Sequence, residues 1–129
     1  GMTHTACVTS QGDILACGRN DDGQVDPERR EDIILKRPVL CESLLGFQRF
    51  VKVSCGGHHT AALTTNGSVI TWGSNEEGQL GHRVTNNAQT LTPKTFCRPK
   101  TMILANQVAS DVACGGNFTL VLTTGMSIL

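Results

Sequence analysis

Apolar residues occur along this chain in short runs broken by Gly, Asn and Ser, and the pattern requires no long helix. His59-Thr60-Ala61-Ala62-Leu63-Thr64 and Ser68-Val69-Ile70-Thr71-Trp72 read as two short strands joined through Thr65, Asn66 and Gly67. Asn-Gly at this place predicts a type I′ hairpin, which needs positive φ at both residues; Gln11-Gly12 holds the same place earlier in the chain. Asn75-Glu76-Glu77-Gly78 and Asn20-Asp21-Asp22-Gly23 read as a second kind of turn, with Gly in the left-handed position and Asn able to cap it. Adjacent apolar residues such as Val69 and Ile70 point to opposite faces of a strand, so one such unit cannot bury its surface alone. It needs a neighbour on each side, which is the logic of stacked repeats.

The chain does repeat. An offset of 55 residues lays HTACVTSQGDILACGRNDDGQV, from His4, over HTAALTTNGSVITWGSNEEGQL, from His59. An offset of 59 residues lays VSCGGHHTAALTT, from Val53, over VACGGNFTLVLTT, from Val112. These periods exceed the roughly 40 to 45 residues of WD40 blades and the roughly 50 of kelch blades.

Composition narrows the partners. Eleven Lys and Arg balance eleven Asp and Glu, which removes the electrostatic footprint of a nucleic-acid or anionic-membrane binder. Aromatic residues make up 4% of the chain, so the core must be aliphatic. No apolar run approaches the roughly 18 residues of a membrane span, and the first residues do not resemble a signal peptide. The expected location is therefore intracellular, cytoplasmic or nuclear, with the six cysteines reduced.

The middle copy closely resembles the regulator of chromosome condensation repeat, whose signature runs V-x-C-G-x-x-H-T-x-A-L-T followed by G-x-V-x-x-W-G-x-N-x-x-G-Q-L-G. Val53, Cys55, Gly56, His59, Thr60, Ala62, Leu63, Thr64, Gly67, Val69, Trp72, Gly73, Asn75, Gly78, Gln79, Leu80 and Gly81 all fall on it. The outer copies depart locally: Cys17 stands for the Trp, Asp26 for the last Gly and Phe118 for the His. The resemblance implies an all-β fold, a partial β-propeller of short antiparallel four-stranded blades. Seven blades would need about 385 residues. The sequence is thus expected to be a fragment of a seven-bladed ring, with residues 1–38 a partial repeat, 39–98 a full repeat and 99–129 a partial repeat.

No catalytic, cofactor or metal site emerges from the motifs. Cys7, Cys17, Cys55 and Cys114 alternate with plain apolar residues across the copies, which fits buried structural thiols. Cys55, His58 and His59 are grouped like a zinc corner, but the next copy offers only Cys114, Asn117 and Phe118, and no C-x-x-C occurs. His4 and His59 are repeat equivalents, expected to make a satisfied hydrogen bond within their own unit, and Trp72 is expected in the core. The Asn20–Gly23 stretch fails as a calcium loop, because Val25 stands where the sharp turn requires Gly.

The candidate functional residues are on loops. The segment from Asp26 to Pro38, DPERREDIILKRP, carries four acids and four bases around Ile33-Ile34-Leu35 and reads as a solvated loop or short helix, with Asp26 and Pro27 arranged like a cap and first turn. The segment from Gly81 to Cys97 is polar and reads as a flexible connection. Arg29, Arg30, Glu31, Asp32, His58 and Asn117 are the candidate partner-binding residues, since binding groups concentrate on loops held by a rigid scaffold. The resemblance implies a non-catalytic interaction module within a larger regulatory protein, its partner a protein such as a small GTPase or a ubiquitin-pathway protein, alongside the remaining blades. The alternative it implies is guanine nucleotide exchange on a Ran-like small GTPase, which needs no nucleophile, metal or cofactor of its own.

Overall fold

The computed structural model describes residues 1–29, 31–81, 96–102, 104 and 106–124. Among the described residues, nine strands form three antiparallel sheets that follow the chain. The first sheet is β1 (His4–Val8), β2 (Ile14–Arg19) and β3 (Ile34–Leu40), in that order. The second is β4 (Phe50–Cys55), β5 (His59–Thr64), β6 (Val69–Ser74) and β7 (Phe96–Thr101). The third pairs β8 (Ala109–Cys114) with β9 (Thr119–Thr123). The only helix among the described residues is a short 3-10 turn, Glu42–Leu44.

The sheets stack in sequence: β1 lies against β4, and β4 and β5 lie against β8. Two cores result, and strand alternation assigns residues to them. Ala62, Ile70 and Trp72 face the first sheet and pack with Ile14, Ala16, Val25, Cys41, Leu44 and Phe50. Their neighbours Ala61, Leu63 and Val69 face the third sheet and pack with Met102, Leu104, Ala109, Val112 and Val121. Every residue of β5 and β6 is consequently buried, the reason their sequences are apolar on both faces. Trp72 is fully covered, and its indole Nε1–H donates to the Val25 carbonyl at 3.3 Å.

Gly73 explains why the tryptophan is followed by glycine. The β6–β7 register shifts between Thr71 and Gly73, and Gly73 takes φ of 106°. A Cβ there would meet the His58 carbonyl oxygen at 2.7 Å and the His59 Cα at 2.9 Å. Gly18 repeats the arrangement in the first sheet, with φ of 109°.

Two local expectations are corrected. The Thr65–Gly67 loop is not type I′: Gly67 has φ of 84° but Asn66 does not have positive φ. Gly67 N donates to the Thr64 carbonyl at 3.1 Å and Thr64 N to the Ser68 carbonyl at 2.9 Å, a three-residue loop closed by a left-handed glycine. The Thr64 hydroxyl, which accepts from Ser68 N at 3.0 Å, supports this loop from within. The Asp26–Pro38 segment contains no helix among its described residues. A turn in which Arg29 N donates to the Asp26 carbonyl at 3.0 Å gives way to β3, which pairs with β2. The β-branched residues after Asp32 favour the extended edge strand. Of the polar connection expected from Gly81 to Cys97, residues 82–95 lie outside the described residues.

Candidate functional site at the loop end of the sheets

Strand direction brings four loops to one end of the stack: residues 20–33 and 75–81, which follow β2 and β6, and residues 56–58 and 115–117, which precede β5 and β9. Neighbouring sheets are tied together there. Thr3 Oγ1 donates to the Gly57 carbonyl at 2.8 Å, and Gly57 N to the Gly116 carbonyl at 3.0 Å.

Beneath this surface each seam carries the same buried relay. At the first, His4 Nε2 lies 2.7 Å from Thr60 Oγ1, whose hydroxyl donates to the Gln24 carbonyl at 2.6 Å. At the second, His59 Nε2 lies 2.9 Å from Thr119 Oγ1, which donates to the Gln79 carbonyl at 2.7 Å. The threonine proton is committed to the glutamine carbonyl, so each histidine must be the Nε2–H tautomer and donate. This corrects the expected bond within one unit: each imidazole reaches the following sheet. At the third copy Phe118 stands in the histidine's place, over Gly115, and is 55% exposed.

The other ring nitrogen, Nδ1, of both His4 and His59 is buried without a partner. A proton added there would bury a charge, offset only by a backbone hydrogen bond to His59 for His4 and to Phe118 for His59. Burial first, then the amino terminus and His59, lower the pKa of His4 from 6.5 to about 4; burial lowers that of His59. The folded pKa lies below the unfolded one, so this contribution is complete above pH 6.5 and is lost as pH falls toward 4. For His4 the loss approaches about 3 kcal/mol. Urea midpoints are expected to fall clearly between pH 7.5 and pH 5, and His4→Gln should flatten that dependence; a pH-independent midpoint would contradict the assignment.

The cysteines are placed variously. Burial pushes the thiol pKa of Cys41 up to about 12 and that of Cys114 up to about 11, and raises that of Cys55. All three remain thiols near neutral pH, unsuited to act as nucleophiles. Cys55 and Cys114 are half-buried, whereas Cys7 is exposed, contrary to its expected burial.

Above the relay, the turn after β2 is built on buried Asn20. Its Oδ1 accepts from Val25 N at 3.0 Å and Asp26 N at 2.9 Å, and its Nδ2 donates to the carbonyls of Asp26 at 3.0 Å and Arg29 at 2.9 Å. Asp26 is buried in turn, accepting from Ser43 Oγ at 2.8 Å and Glu42 N at 3.2 Å. Asn75, the repeat equivalent of Asn20, accepts from Leu80 N at 3.0 Å.

The candidate partner-binding residues divide into two groups on this end. His58 is half-exposed, its Nδ1 3.1 Å from Asp22 Oδ2 across the first seam; Asn117, its repeat equivalent, is exposed at the second. Glu31 and Asp32 are exposed on the longer loop, and Arg29 is partly buried, its Nε 3.9 Å from Asp26 Oδ2. Arg30 lies outside the described residues. Asp21 and Asp22, which the sequence pattern assigns only to a turn, lie at the first seam; their equivalents, Glu76 and Glu77, are exposed at the second.

The profile described as "Regulator of chromosome condensation (RCC1) repeat" matches residues 11–63 and 66–122. The chain is 37% identical over 121 residues to "Protein RCC2 homolog" of Xenopus laevis, covering 92% of this chain and 21% of that protein. It is 35% identical over 119 residues to "Probable E3 ubiquitin-protein ligase HERC4" of Homo sapiens, covering 92% of this chain and 10% of that one. Among solved structures, Prp20p from Saccharomyces cerevisiae, studied for its binding to Gsp1p and histones, superimposes with a TM-score of 0.73 at 23% identity, over 94% of this chain and 29% of that one. The chain thus spans a small part of each protein it matches.

Proposed function

Because the chain belongs to the RCC1 repeat family and is a portion of a β-propeller, we propose that it serves as a non-catalytic protein-interaction module. The carrying observation is the contrast between seams. The buried relay is the same at both, while the solvent-facing groups above it differ: Asp21, Asp22 and His58 at one, Glu76, Glu77 and Asn117 at the other. A fixed framework with position-specific loops is the arrangement of a recognition surface. Similarity to proteins named as a ubiquitin ligase and as an RCC2 homolog supports this reading, since one repeat accompanies unlike activities. The residues meeting the partner are His58, Asn117, Arg29, Arg30, Glu31 and Asp32. Residues 1–38, 39–98 and 99–129 are its partial, full and partial repeats. The partner is an intracellular protein, a small GTPase or a ubiquitin-pathway protein.

Replacing His58 and Asn117 together with alanine in the full-length parent is expected to weaken partner binding by about tenfold or more, with unchanged melting. Unchanged binding would remove the loop end as the interface. Nucleotide release from a panel of small GTPases tests the alternative, which the binding of Prp20p to Gsp1p brings into view. No acceleration is expected; stimulated release would make exchange the function.

A further inference from the structure

Three metal-binding side chains converge from two sheets at the first seam. Asp21 and Asp22 come from the turn after β2 and His58 from the loop before β5, with one ligand atom of each within 4.8 Å of the others. These groups are held from several sides. The carboxylate side chains of Asp21 and Asp22 are only 22% and 19% exposed. Gln24 joins them, accepting from Asp22 N at 2.8 Å and donating to Asp21 Oδ1 at 3.2 Å. The backbone of His58 is fixed through its carbonyl, which accepts from Ser74 N at 2.9 Å.

Two carboxylates alone would suit magnesium or calcium; an imidazole beside them shifts the preference toward zinc-like ions. The second seam sharpens the point. Its equivalents, Glu76, Glu77 and Asn117, occupy the same turns without an imidazole, so the nitrogen–oxygen set belongs to the first seam and not to the turn as such. We propose that Asp21, Asp22 and His58 form a binding site for a divalent transition-metal ion of the zinc type, which joins the first sheet to the second and leaves its remaining positions to water.

Arg19 is the built-in competitor. Its guanidinium donates to Asp21 Oδ2 at 2.8 Å and its side chain is 54% exposed, free to withdraw into solvent when a metal arrives. Removing the guanidinium should therefore strengthen metal binding, an effect that a plain His58–Asp22 ion pair does not predict. The site stands whether or not this end also meets a protein partner.

The test is calorimetric titration of zinc chloride into the tag-free chain, with cobalt absorption as a second readout. One saturable site per chain is expected. His58→Asn, which copies the residue at position 117, and Asp22→Asn should each weaken it at least about tenfold; Arg19→Ala should tighten it about threefold or more. Cobalt should show no thiolate charge-transfer band. Absence of saturable binding, affinity unchanged in both the His58 and Asp22 variants, no gain in Arg19→Ala, or a thiolate band placing the metal on the cysteines would each overturn the proposal. Melting of the metal-free variants shows whether the seam survives each substitution; loss of zinc affinity only in variants that melt early would also overturn it.

Discussion

Trp72→Ala is expected to abolish the cooperative unfolding transition of this chain. The indole is completely buried at the junction of the first two sheets, among Ile14, Ala16, Val25 and Phe50. Truncating such a side chain costs about 3–5 kcal/mol, part transfer and part cavity. A domain holds only about 5–15 kcal/mol in total, and this one leaves Leu120 and Leu122 of β9 at 47% and 42% exposed. Trp72→Phe separates the two contributions, since it keeps most of the ring but removes the donor to Val25. A loss of about 1–2 kcal/mol is expected for that change, because the Val25 carbonyl keeps the Cys41 thiol, 3.2 Å away, as a second donor. Urea denaturation followed by far-ultraviolet circular dichroism decides it: a Trp72→Ala chain with a wild-type midpoint would show that the seam core carries little of the stability.

Asn20→Ala should be the next most damaging change. One amide satisfies two backbone N–H groups and two carbonyls at a buried position; alanine would orphan the N–H groups of Val25 and Asp26, while the Asp26 and Arg29 carbonyls keep the amides of Arg29 and Asp32. Only part of that deficit can be made up by water entering the turn, which leaves a cost of about 3 kcal/mol. The damage should also spread, because Val25, whose amide Asn20 holds, receives both Trp72 and Cys41 on its carbonyl. Hydrogen exchange should show the amides of Val25 and Asp26 losing protection first, followed by β6. A loss below about 1 kcal/mol at Asn20 would contradict this account.

Much of the fold was legible in the sequence because repetition marks equivalent residues. The apolar doublets, such as Val69-Ile70 of β6, imply sheets covered on both faces, whereas the close approach of Gly73 to the His58 and His59 backbone shows only in the structure. Repetition cannot say which neighbour a side chain meets. The bond of His59 to Thr119 crosses between sheets, and an offset of 55 or 59 aligns copies without showing that a histidine of one meets a threonine of the next. Local chemistry misled in two places. Asn66-Gly67 carries the usual type I′ pair, yet the Thr64 hydroxyl favours the longer loop; Asp26-Pro27 resembles a helix start and Asp26 Oδ1 does accept from Glu28 N at 3.0 Å, yet the same carboxylate also holds Ser43 and Glu42 and the chain goes over into β3 instead of a helix. The convergence of Asp21 and Asp22 on His58 was invisible for the same reason as the relay, because its partners come from different copies.

The relay also gives the stack a polarity. At both seams the histidine comes from the preceding sheet and the threonine from the following one, so the two faces of a sheet are not equivalent at the relay. Phe118 then makes the copies non-interchangeable: a unit packed on the third sheet meets an apolar ring where the earlier ones meet a donor. Tandem duplication of the third unit would therefore set Phe118 against a second Thr119, a mismatched joint, whereas the middle unit carries both His59 and Thr60 and matches a copy of itself; such mismatches act as address labels that fix the order of units along the chain.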